Sequence, residues 1–106
     1  MINVNLHGGN REVSINAMID SGATKDFIDK TICKNYQLPT TLAEIPSEIY
    51  LDDGNLSEMG LITHIAKVLI EMGNHREIAT LQMANLPNHE IILGMPWLKG
   101  LNPKID

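Results

Sequence analysis

Asp20-Ser21-Gly22-Ala23-Thr24 places a carboxyl, a hydroxyl and a glycine in one short stretch. It follows directly on an alternating apolar run, Val13, Ile15, Ala17 and Ile19. A carboxylate where a buried strand breaks into a tight turn is held rigidly and partly shielded from water. Those are the conditions under which a side chain can serve as a catalytic acid or base. The same residues also suit a plain turn, because Asp, Ser and Gly all favour turns. Taken alone, the stretch supports either reading.

Other reactive residue types offer less. Ser21 lacks the G-x-S-x-G elbow and the positioned base that a nucleophilic serine needs. His7, His64, His75 and His89 show no metal-ligand spacing, so no metal is expected, and no cofactor. Asp52-Asp53 stands before Gly54-Asn55, which reads as a turn rather than a cation site. Asp26 reads as solvated and Asp29 as a helix cap, while Met18, Met72, Met83 and Met95 read as core or cleft fillers. Cys33 is expected to be buried and inert.

The elements around Asp20 follow from the hydrophobic pattern. Ile2, Val4 and Leu6 alternate with polar residues, and His7-Gly8-Gly9-Asn10 turns that strand into Arg11–Ile19. Phe27-Ile28 is a short apolar step, and Asp29 caps a short helix through about Tyr36, ended by Leu38-Pro39. Thr40–Pro46 reads as a connecting loop. Ile49, Tyr50 and Leu51 lead through Asp52-Asp53-Gly54-Asn55 into Leu56–Ile62, a strong hairpin signal. Thr63–Met72 and Arg76–Met83 are strands joined at Gly73-Asn74. Ile91-Ile92-Leu93 is a short apolar strand stopped by Gly94. Pro96 then suits a first helical turn, with Trp97-Leu98 anchoring a short helix. Short strands, glycine turns and two small helices describe a mainly-β, barrel-like fold.

The chain has 106 residues, the size of one domain, and residues 1–106 are read as that domain. A net charge of -5, with Lys and Arg scattered singly, argues against nucleic-acid binding. No apolar run approaches a membrane span and no signal pattern opens the chain, so no membrane partner is expected. The single cysteine excludes an internal disulfide and fits an intracellular setting.

Three features occur in order: the apolar strand into Asp20–Thr24, the acid-glycine hairpin at Asp52–Asn55, and Ile92-Leu93-Gly94 before a helix. This order resembles the retropepsins, the single-domain aspartic proteases of retroviruses and long-terminal-repeat retrotransposons, and most of all the Ty3/gypsy branch. Asp20–Thr24 with Phe27-Ile28, and Ile91-Ile92-Leu93-Gly94-Met95-Pro96-Trp97-Leu98 about seventy residues later, look like the two signature blocks of that branch. Asn102–Asp106 resembles the sequence that commonly follows them.

The resemblance implies a small closed barrel of the acid-protease type with a flap hairpin and one or two short helices. It also implies an endopeptidase in which two carboxyl groups share a proton across one water. This chain supplies one such aspartate, so a homodimer pairing two Asp20 residues is implied. Ser21 would brace the two turns, Gly22 would let backbone approach substrate, and Ala23 and Thr24 would line the cleft. Tyr50, Leu51, Asp52, Asp53, Gly54 and Asn55 would form the flap over an extended peptide. Ile92, Leu93 and Gly94 would pack beneath the catalytic turn. The implied substrate is a retroelement polyprotein, cut in the cytoplasm or in a virus-like particle, with this domain as one of its segments.

The chain departs from many retroviral enzymes in two places. Thr24 and Lys25 stand where those carry acids, and Met95-Pro96 stands where those carry Arg-Asp or Arg-Asn, which removes an arginine brace. A dimer-closing strand beyond Asp106 is left open. Two rival readings are a catalytically silent dimerisation or peptide-binding module of the same fold, and a domesticated cellular aspartic protease.

Overall fold

A computed structural model describes residues 2–9, 11–48, 61–86 and 88–101. The first hairpin pairs β1 (Ile2–Gly8) with β2 (Arg11–Ile19) in the register Val4↔Ile15 and Leu6↔Val13. These four side chains are buried, while their sequence neighbours face away, as the period of two in a half-buried strand requires. Gly9, at φ +59°, makes the turn in a region of backbone space that glycine enters without steric cost.

After the Asp20 turn come β3 (Asp26–Asp29) and α1 (Lys30–Asn35). Asp29 caps this helix by accepting from Thr31 N–H at 3.2 Å. The helix ends in a Schellman arrangement, with Leu38 N–H donating to Cys33 O at 3.0 Å and Gln37 at φ 51°. Cys33 is buried, as expected.

Thr40–Glu48 form a strand, β4, where the sequence suggested a loop over Thr40–Pro46. It pairs antiparallel with β5 (Leu61–Met72), and its register shifts between Leu42 and Ser47. Pro46, with no N–H to give the ladder, falls inside that shift. A strand on the outside of the barrel needs little apolar alternation, which is why its residues gave no strand signal. Gly73, at φ +59°, turns β5 into β6 (His75–Ala84), and then follow β7 (Ile91–Leu93) and α2 (Met95–Leu101).

The sheet order is β1-β2-β7-β3-β6-β5-β4, and β1 also pairs with β5. Six of the described strands therefore close into a barrel, with β4 outside on β5. The fold is mainly β with two short helices. Val4, Leu6, Ile15, Val68, Ile70, Leu81, Ile91 and Leu93 fill the interior against Ile28 and Trp97. Met72 and Met83 pack on its margin, as the sequence reading placed them. No helix among the described residues is long and apolar enough to cross a membrane.

Candidate active site

Strand β2 delivers Asp20 to the edge of the barrel. Pairing parallel to β7, it sets Met18 opposite Ile92 and Ile19 opposite Leu93. The backbone then bends: Ala23 N–H donates to Asp20 O at 3.0 Å, closing a four-residue turn. Asp20 is half-buried, and its Oδ1 accepts from Gly22 N–H at 2.9 Å. Ser21, Gly22 and Thr24 are exposed, and Ala23 is half-buried.

The junction of β7 and α2 fastens this turn from below. Asp20 N–H donates to Leu93 O at 2.9 Å, and Met95 N–H donates to Ala23 O at 2.9 Å. Between them lies Gly94, where a Cβ would sit 2.5 Å from Lys25 O and 2.6 Å from Ala23 O. Only glycine fits at that distance. Ile92, Leu93 and Gly94 are thus brought against the Asp20 turn, Ile92 packing also on the Phe27, Ala84 and Leu86 cluster.

Gly22 differs from Gly94. Its φ lies outside the left-handed region, and among the described residues a Cβ there would meet one atom within 4 Å, Asp20 Oδ1 at 3.2 Å. The conformation of the turn therefore does not require glycine at 22. What a side chain would crowd is the carboxylate itself.

Asp26 is not solvated, contrary to the sequence expectation. It is buried, and its Oδ1 accepts from Gly94 N–H at 2.7 Å. Burial pushes its carboxyl above the usual range, bonds from the Gly94 and Trp97 N–H groups pull it back, and the charge of Glu77 raises it again. The sequence offers only a weak signal for this residue, an acid directly before the apolar step Phe27-Ile28. Asp29 does a second job beyond capping, accepting from Leu86 N–H at 2.9 Å.

Tyr50, Leu51, Asp52, Asp53, Gly54 and Asn55 lie outside the described residues. The strands that lead to and from them are paired at Glu48↔Leu61. Among the described residues, His7, Glu12 and Glu71 form a group with metal-ligand character, their donor atoms within 4.8 Å of one another. Glu71 there bonds His7 and pairs with Arg76 at 3.4 Å, which accounts for the grouping by ion pairing.

The PEG10/RTL1 protease domain matches residues 16–106, which includes the Asp20 turn, β7 and α2. The chain belongs to this family. In fold it is similar to the EIAV protease solved in complex with the inhibitor HBY-793. That likeness has a TM-score of 0.69 at 16% identity, over 98% of this chain and 88% of that one. The PEG10/RTL1-type chain is accordingly a retropepsin-like aspartic protease domain of retrotransposon-derived type, carried on the retroviral protease fold.

Proposed function

We propose that this domain is an aspartic endopeptidase that works as a homodimer, with Asp20 from each subunit forming the catalytic pair. The supporting observation is the construction of the turn around that carboxylate. Two backbone bonds, to Leu93 and from Met95, hold it, and among the described residues Gly22 leaves the space beside Asp20 Oδ1 open.

In the dimer, two carboxyl groups at close range cannot both ionise, as is general for the paired aspartates of aspartic proteases. One carboxylate takes a proton from a water held between the pair, and the water oxygen attacks the scissile carbonyl carbon. The other carboxyl donates its proton to the carbonyl oxygen, giving a tetrahedral diol. Collapse of the diol breaks the C–N bond, and a proton passes to the departing nitrogen. Ser21, exposed beside Asp20, would bond across the two-fold axis, and Ala23 and Thr24 would line the cleft floor. The segment at Tyr50–Asn55 would close over an extended peptide drawn from a polyprotein.

The dimer requirement is tested by specific activity against enzyme concentration, measured beside sedimentation. Cleavage per chain should rise as dimer forms. Equal activity per chain in a purely monomeric sample would overturn it. A dimer that binds peptide yet cuts none would mark a binding module on the same fold.

A further inference from the structure

Asp26 is the buried charged side chain among the described residues, 4% exposed, and the reaction above gives it no part. Its place becomes clear from the start of α2. Leu98 N–H donates to Gly94 O at 3.1 Å, so Gly94 occupies the N-cap position and Trp97 the third residue of the helix. A helix start is ordinarily satisfied by a reciprocal exchange. The N-cap side chain accepts from the third residue's N–H, and the third side chain accepts from the N-cap N–H.

Neither half of that exchange is available here. Gly94 has no side chain and has no room for one, because Lys25 O and Ala23 O lie too close. Trp97 carries no acceptor. The Asp26 carboxylate, reaching from β3, takes the first of these donors, Gly94 N–H at 2.7 Å, and the N–H of Trp97 also favours its charged form. Its charge also faces the positive end of the helix. A side chain from another strand thus supplies the acceptor that the helix start lacks.

Three successive residues of the β7–α2 junction therefore each hold the segment 20–26 by one bond. Leu93 O accepts from Asp20, Gly94 N–H donates to Asp26, and Met95 N–H donates to Ala23 O. The outer two bonds fix the Asp20 turn, and the middle one fixes the junction. We infer that Asp26 is a positioning residue for Asp20, a helix cap supplied from another strand that locks the β7–α2 junction beneath the active-site turn. This rests on reading Asp20 as the catalytic carboxyl.

Glu77 on β6 faces Asp26, bonds His75 Nε2 at 2.8 Å and lies against Gly100 of α2. It adds negative charge and offers no donor to Asp26, whereas Gly94 N–H donates to that carboxylate at 2.7 Å.

The test compares the unmodified chain with Asp26→Leu and Asp26→Asn by amide hydrogen exchange and by peptide-cleavage kinetics. In Asp26→Leu the Asp20 and Met95 amides should exchange at least about tenfold faster, while those of Val68 and Leu81 in the barrel keep their protection. The value of kcat should fall about 10- to 100-fold with KM nearly unchanged, the mark of a misplaced catalytic group. Asp26→Asn, which keeps one acceptor, should recover part of both. If Asp26→Leu does not fold, the Asn variant carries the exchange measurement. Unchanged exchange at Asp20 and Met95, or equal acceleration at every amide, overturns the proposal, the second because it shows only general destabilisation. If the unmodified chain cuts no peptide, the reading of Asp20 fails, while exchange still decides whether Asp26 locks the turn.

Discussion

The backbone N–H of Asp20 donates to the carbonyl oxygen of Leu93 at 2.9 Å, across 73 positions of sequence. That bond ties the strand carrying the candidate catalytic carboxyl to the strand that ends at Gly94. A carboxylate on a loose loop could not keep the sub-ångström geometry that a shared proton requires. The bond also explains why the two signature blocks of the chain go together: each is the other's backbone partner.

The two glycines of this site should respond in opposite ways. In Gly94→Ala the new methyl group meets backbone at 2.5 Å, so the junction must move. A loss of about 1–3 kcal/mol is expected in chemical denaturation. Among the described residues Gly22→Ala presses on a side-chain oxygen and on no backbone, so stability should stay within about 1 kcal/mol of the parent while cleavage falls sharply. Equal destabilisation of both variants would contradict this account.

Asp26 makes stability depend on pH with a definite sign. Its carboxyl is raised from 3.8 in the folded chain, so between the two values the folded state holds a proton that the unfolded state has lost. Its contribution is fully present below about pH 3.8 and is lost as pH rises through the folded value. Asp26→Asn should remove that slope from a plot of unfolding free energy against pH. An unchanged slope would show that other groups set it.

Asp29 satisfies donors in two elements, Thr31 N–H in α1 and Leu86 N–H after β6. Asp29→Ala leaves both without that partner and should cost about 1–2 kcal/mol, read from the denaturation midpoint. Asp29→Asn, which keeps one acceptor oxygen, should cost less.

Cys33 is raised to about 11, first by burial and then by the charge of Asp29. The thiol should therefore resist alkylation in the folded chain near neutral pH and react at once on unfolding. Rapid labelling without denaturant would contradict its place in the core.

Much of this fold is legible in local pattern. The alternation of Val4 and Leu6 against Val13 and Ile15 marks the first hairpin, Gly73-Asn74 marks the last, and Asp29 marks the start of α1. Residues 40–48 are different, because a strand lying outside the barrel is fixed by its partner β5 rather than by an apolar stripe of its own. Asp26 was legible only in hindsight. An aspartate reads as exposed unless one knows that Gly94, far along the chain, leaves a helix uncapped beside it. The flap hairpin expected at Tyr50–Asn55 falls on residues outside those described.

The most direct measurement is cleavage of a peptide library by the purified domain and by Asp20→Asn at matched dimer concentration. The parent should cut, and the variant should lose activity to background while keeping its fold and its dimer. Cleavage that persists in Asp20→Asn would contradict the assignment of Asp20 as the catalytic carboxyl.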